Sequence, residues 1–248
     1  MFPLRDENPT ELTPYLTFAL IVANVAVWLL VQGGGMDGPT LQSTVCAYGA
    51  IPGEITGAPL GRDAFCAAGG GRWSTLLTSM FLHGSWLHLI GNMWFLWIFG
   101  NNIEDSMGHL RFLAFYLLCG FAASGAHILS APGSWVPTVG ASGAISAVMG
   151  AYLLLYPRVR IQTLFFLVIF VRVFPLPAWV ILGQWIVIQV LAGANTPAGE
   201  AGVAFWAHIG GFAAGLLLVK PFEMRTLVEA KRAHVVIPTR DIPHRGWW

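Results

Sequence analysis

The sequence predicts an all-α integral membrane protein, a six-transmembrane-helix bundle with a long first external loop. Three observations carry this expectation. The 248 residues are 56% hydrophobic and only 10% charged, against about 25% charged in soluble domains. Apolar runs recur along the chain at roughly the length a bilayer demands, about 20 residues, with shorter ones tolerated among neighbouring helices. Once six spans are drawn, the lysines and arginines sort to one side. Net charge is +1, which leaves no electrostatic footprint for nucleic acid.

The first span runs from about Tyr15 to Val31 and ends in Gln32-Gly33-Gly34-Gly35. Arg5-Asp6-Glu7 and Pro9 precede it without a small-residue cleavage site, so no cleavable signal peptide is expected. The second span covers about Ser79 to Phe99, the third Leu110 to Leu129 and the fourth Ser142 to Tyr156. The fifth covers about Pro177 to Leu191 and the sixth Val203 to Val219. Residues 161–174 are apolar, but Arg160, Arg172, Pro175 and Pro177 bracket or interrupt them. Fourteen residues suit an interfacial or re-entrant segment in the connection between spans four and five; a seventh span is the alternative. With six spans, Arg111, Arg158, Arg160, Arg172, Lys220, Arg225, Lys231 and Arg232 fall on the side of the N-terminus, and only Arg62 and Arg72 opposite. Both termini are therefore expected in the cytosol. The expected division is a cytosolic tail over 1–13, the six-helix domain over 14–220 and a flexible cytosolic tail over 221–248.

The first loop, about Gly33 to Ser74, is too long for a plain connector and is expected to hold short helices of its own. It carries Cys46 and Cys66, while Cys119 lies in the third span. A disulfide and two free thiols are both compatible with that placement.

Ser142 sits between glycines, in Gly140-Ala141-Ser142-Gly143, where the fourth apolar segment begins. A hydroxyl in hydrocarbon is costly without partners, and a polar group at membrane depth is a functional hypothesis by default. A serine becomes a nucleophile when an adjacent base accepts its proton, and a helix start directs N–H groups at developing negative charge. His208, in the sixth apolar segment, is the candidate base. On a helix, Ala204, His208, Gly211 and Gly215 share one face, and Gly143, Ala147 and Ala151 form a small-residue stripe beside Ser142. Two such stripes let helices approach closely and bring their polar groups together. His88 and Asn92 are at i and i+4, so both leave the same face of the second span, where imidazole and carboxamide N–H groups can serve an oxyanion. His83 and His88 are five apart with no acidic residue nearby, unlike the helical zinc motif, so no metal and no cofactor are expected.

Three motifs stand in order: His83-x4-His88-x3-Asn92, Gly140-x-Ser142-Gly143 and Ala207-His208-x2-Gly211-x3-Gly215. From about Trp73 to Gly215 the chain resembles the rhomboid family of intramembrane serine proteases. The resemblance implies a six-helix rhomboid-like bundle of the bacterial type, in the inner (plasma) membrane. It implies a serine–histidine dyad with no third acidic member, Ser142 the nucleophile and His208 the general base. It further implies an oxyanion hole of His88, Asn92 and the Ser142 backbone N–H, with His83, Gly140, Gly143, Gly211 and Gly215 in support. Glu104 and Gly108 resemble the family's stabilising Glu-x3-Gly. The family often has Trp-Arg in the first loop; here Arg72 precedes Trp73.

The implied substrates are single-span or other transmembrane proteins cut in or near the membrane, with lipid as the surrounding partner. Two other classes compete: an inactive relative serving as a membrane chaperone or trafficking factor, and a transporter or channel. The first is expected to lack the nucleophile or the base, and the second to show repeats or intramembrane carboxylates. The fifth span, followed by the glycine-containing loop Ala192–Gly199, is the expected lateral gate, and Trp185 is the bulky residue whose reduction is expected to raise cleavage.

Overall fold

The computed structural model describes residues 1–60, 64–66, 72–167, 170–197, 202–233 and 235. The first strand, β1 (Phe2–Asp6), precedes α1 (Tyr15–Leu30), and the long loop then holds α2 (Gly38–Tyr48) and α3 (Pro52–Thr56). After α4 (Thr75–Thr78) come α5 (Trp86–Met107), α6 (His109–Ser130) and α7 (Ser142–Leu155). A hairpin of β2 (Arg160–Leu167) and β3 (Phe170–Pro177) leads to α8 (Ala178–Asn195), α9 (Phe205–Phe222) and the short α10 (Arg225–Arg232).

Six of these helices match the six apolar segments. Three of them, α6, α8 and α9, are long and apolar enough to cross a membrane, and α1 and α7 are shorter apolar helices. The chain is thus a mostly helical integral membrane protein. The second segment differs in detail from its expected bounds. Ser79–Phe81 forms a separate 3₁₀ turn, and Leu82 and Ser85 are extended. The Ser85 hydroxyl accepts the His88 N–H at 3.2 Å, which caps α5 and sets His88 in its first turn.

The fold is not all-α. Residues 161–167 and 170–174 are not a seventh span; they lie on two paired strands, β2 and β3, within the connection between α7 and α8. β2 pairs antiparallel with β3 from Arg160↔Pro177 to Leu167↔Phe170. β1 adds antiparallel on the other edge, from Phe2↔Leu164 to Asp6↔Ile161, so the sheet order is β1-β2-β3. Phe and Val favour the pleated surface. Pro175 and Pro177 lie on β3, an edge strand, where a missing N–H costs no ladder bond.

Both expected tails carry structure. β1 occupies the first, and α10 lies in the second, with Leu227 and Val228 buried. The Lys231 ammonium pairs with Asp105 and sits 5.7 Å from the centroid of the Tyr156 ring. The Arg232 Nε donates to the Leu155 carbonyl at 2.8 Å and a second nitrogen to Leu154 at 3.1 Å, meeting the free carbonyls at the end of α7. Residues 234 and 236–248 of the tail, Glu200 and the end of the loop after α8 fall outside the described residues, as does Arg62.

The bundle is organised around α7, in which every residue from Gly143 to Tyr152 is buried. Its small stripe meets that of α9 as the sequence predicts. A Cβ added at Gly211 would lie 2.0 Å from the Gly143 carbonyl oxygen, and one at Gly215 2.1 Å from that of Ala147. Backbone packed on backbone is what small residues permit. At the opposite end from Ser142, the Glu104 carboxylate accepts the N–H groups of Leu16 at 2.9 Å and Thr17 at 2.7 Å, so it caps the start of α1. Asp105 accepts the N–H groups of Glu11 and Leu12. Asp6 accepts the Tyr152 hydroxyl at 2.6 Å and the Asn102 carboxamide at 2.7 Å. These bonds tie β1, α5 and α7 to one another.

Candidate active site

Ser142 is the first residue of α7, and the chain reaches it through Gly140, whose φ is +124°. That conformation is open to glycine and strained for other residues. The Gly140 N–H donates to the Ser79 carbonyl at 2.9 Å, which pins the turn to the segment before α5. A Cβ at Gly140 would lie 2.8 Å from His88 Nε2 and 3.5 Å from Asn92 Nδ2. Gly140 therefore has two reasons to be glycine, and both bring the α5 side chains beside Ser142.

His208 is the fourth residue of α9. The α7–α9 contact sets its Nε2 2.8 Å from the Ser142 Oγ, within reach for proton transfer. The opposite ring nitrogen, Nδ1, is 2.7 Å from Oε1 of Gln189 on α8. Gln189 is not among the residues singled out from the sequence, although the argument that marks Ser142 and His208, a polar side chain in an apolar helix, applies to it equally. Trp185, one turn earlier on α8, lays its ring against His208 with centroids 5.7 Å apart and against Phe212 at 6.1 Å. Trp185 thus packs against the candidate base as well as lying on the fifth apolar helix.

His88 Nδ1 accepts the Gly84 N–H at 3.4 Å. This places the proton of a neutral ring on Nε2, the nitrogen that abuts Gly140. Asn92 is 7% exposed, and its Nδ2 is buried without a hydrogen-bond partner among the described residues. Such an orphan donor calls for an explanation. As the first residue of α7, Ser142 has a backbone N–H with no partner in the preceding turn. Two side-chain N–H donors beside Gly140 and the helix-start N–H of Ser142 thus share one cavity.

His83 is fully buried and packs edge-on against His88, centroids 5.1 Å apart. Its backbone is clamped by Gln32, whose Nε2 donates to the His83 carbonyl at 2.7 Å and whose Oε1 accepts the His83 N–H at 2.8 Å. His83 thus belongs to the wall behind His88. Gly143, Gly211 and Gly215 act through the α7–α9 approach. A cavity of about 540 Å³ opens on Ser142, His208, His88, Asn92 and Gly140, and His127 of α6 also lines it. Among the described residues, no group of three or more His, Cys, Asp or Glu side chains is arranged to hold a metal ion. Away from the site, Cys46 and Cys66 are joined by a disulfide, and Cys119 is a buried thiol.

A family model of the Rhomboid domain matches residues 70–223. Presenilin-associated rhomboid-like protein, mitochondrial, of Homo sapiens is 32% identical over 148 residues, 59% of this chain and 34% of that protein. Rhomboid protease GluP of Bacillus subtilis (strain 168) is 32% identical over 140 residues, 56% of this chain and 24% of that protein. Rhomboid-like protein 11, chloroplastic, of Arabidopsis thaliana is 29% identical over 161 residues, 59% of this chain and 51% of that protein. The match spans only a third of the human protein's length. With the family model covering more than half of its residues, this chain belongs to the rhomboid family.

Proposed function

We propose that this chain is a serine endopeptidase that hydrolyses peptide bonds in transmembrane segments of membrane proteins, through Ser142 and His208. The observation that carries the reading is the 2.8 Å contact between Ser142 Oγ and His208 Nε2, in a cavity that also presents the partnerless Asn92 Nδ2. In this reading His208 Nε2 takes the hydroxyl proton as Oγ attacks the scissile carbonyl carbon. The carbonyl oxygen becomes an oxyanion and gathers N–H groups from Asn92, from His88 Nε2 and from the Ser142 backbone. His208 then delivers its proton to the departing amine and an acyl-enzyme remains. Water attacks that ester, giving its proton to His208, and Ser142 is released. The name of GluP, a rhomboid protease, supports the reaction class.

The proposal includes six spans with both termini cytosolic, on the strength of the lysine and arginine distribution. Substrate helices reach the site from the lipid past α8, which meets the bundle through the narrow buried stripe Ala178, Ile181, Leu182, Gln189 and Gly193, with Trp185 partly buried against it. The test is reconstitution in proteoliposomes with a single-span substrate and a fluorophosphonate probe. Wild type should cleave the substrate and be labelled at Ser142, and Ser142→Ala and His208→Ala should each lose cleavage. Because the pair acts as a unit, the double variant should be little worse than either single one. Labelling and cleavage that persist in Ser142→Ala would assign the chemistry elsewhere.

A further inference from the structure

Gln189 lies in an 18-residue apolar helix whose neighbouring side chains, Val187, Ile188, Val190 and Leu191, are all about half exposed. Gln189 itself is 8% exposed. Ile181, Leu182, Trp185 and Gln189 recur at helical spacing, so they share the face of α8 that is turned toward α9. A buried carboxamide costs free energy unless it is hydrogen-bonded, and here its Oε1 lies 2.7 Å from His208 Nδ1. The same imidazole meets Ser142 Oγ through Nε2. The ring is thus held at both nitrogens and covered on one face by Trp185.

We propose that Gln189 is a positioning residue for the Ser142–His208 pair: its carboxamide oxygen accepts the His208 Nδ1–H and leaves the Nε2 lone pair directed at Ser142 Oγ. The proposal rests on the protease reading of the same site. A neutral imidazole has one N–H and two tautomers. Only the Nδ1–H form leaves Nε2 free to accept the serine proton, and an acceptor seated on Nδ1 selects that form. When His208 gains its second proton, the carboxamide dipole faces the new imidazolium charge. A carboxylate in that place would have to be buried as an ion among apolar side chains, at greater cost. Gln189 therefore supplies the orienting acceptor of a nucleophile–base–orienter arrangement without carrying a charge into the bundle. The other titratable side chains lining the cavity are His88 on α5 and His127 on α6. Both are unchanged in the variants below and so act as a common background.

The test uses the full chain in proteoliposomes, with the fluorophosphonate labelling rate at Ser142 and kcat and KM for a single-span substrate measured across pH. Gln189→Met, close in size and without an acceptor, should lower labelling and kcat by roughly 10- to 100-fold, the range for a hydrogen bond to a charged group, with KM unchanged. Gln189→Glu restores an acceptor at the same reach. It should label faster than Gln189→Met, and its acidic limb in kcat/KM should move to higher pH, because a carboxylate stabilises the imidazolium. Gln189→Met labelled at the wild-type rate would overturn the proposal, and so would Gln189→Glu no faster than Gln189→Met. If Gln189→Met does not fold, the labelling rate and acidic limb of Gln189→Glu decide, and an unmoved limb rejects the role. Wild type that neither cleaves nor labels would instead sink the protease reading, and the proposal with it.

Discussion

Gly211→Ala tests the idea that the site exists because two helix backbones touch. A Cβ at Gly211 would stand 2.0 Å from the Gly143 carbonyl oxygen, 2.9 Å from the Gly143 carbonyl carbon and 3.3 Å from the Ala123 Cβ. The first two are backbone atoms, so no side chain can swing aside. Restoring ordinary contact, about 3.4 Å, requires α7 and α9 to part by roughly 1.4 Å at this level. Gly143 adjoins Ser142, and Gly211 is three residues from His208, so much of that parting falls on the 2.8 Å Oγ–Nε2 contact and stretches it beyond hydrogen-bond length. Overpacking of this kind costs about 1–3 kcal/mol of stability, and a misplacement near 1 Å costs about 100-fold in rate. The control is Gly183→Ala on α8, where an added Cβ meets nothing within 4 Å. There the change should be neutral or stabilise by about 0.5–1 kcal/mol. Thermal unfolding in detergent micelles, with fluorophosphonate labelling of the same samples, reads both consequences. Wild-type labelling and an unshifted melting temperature in Gly211→Ala would refute the claim that this contact sets the site.

Three further outcomes are expected. Asn92→Ala and His88→Ala should each lower kcat by about 10²–10³, or 2.7–4 kcal/mol, without loss of fold; a tenfold or smaller loss in both would remove the oxyanion role. Burial lifts the Asp6 carboxyl from its ordinary 3.8 to about 6, against the opposing effects of the Tyr152 hydroxyl and the Lys231 charge. Because the folded state holds that proton more tightly than the unfolded chain, stability should fall as pH rises from about 4 to 6 and level off above, by up to roughly 3 kcal/mol. Asp6→Asn should flatten that slope in unfolding measured across the same pH range, and an unchanged slope would assign it to other groups. Cys46 and Cys66 should resist thiol alkylation in intact membranes until reductant is added, while Cys119 stays unreactive until the bundle unfolds; prompt modification of Cys46 and Cys66 without reductant would contradict the bridge.

Much of the fold and of the site is legible in the amino-acid sequence, for reasons that are local. A polar residue in an apolar run is conspicuous because lipid offers it no partner, and that singles out Ser142 and His208. Spacings of three and four place residues on one helix face, which foretells the small stripes of α7 and α9 and the shared side of His88 and Asn92. The same polar-in-apolar rule applies with equal force to Gln189, whose signal is no weaker than that of the histidine it meets. The hairpin at β2–β3 is a different case. A mainly apolar stretch of fourteen residues carries no helical or alternating signal strong enough to separate the two conformations, and strand pairing with β1 depends on residues some 160 positions away.

The sequence by itself determined the class of protein, the helical segments and the residue types that could carry chemistry, because hydropathy and helix periodicity act over one or a few turns. Only the tertiary structure decided which nitrogen of His208 faces Ser142, that Gln189 holds the other, and that Gly140 seats His88 and Asn92 beside the serine. It also decided that the N-terminal residues are a strand anchored through Asp6 to Tyr152 and Asn102. These are contacts between elements distant in the chain. Their geometry is set by how closely backbones can pack, and no local pattern records that distance.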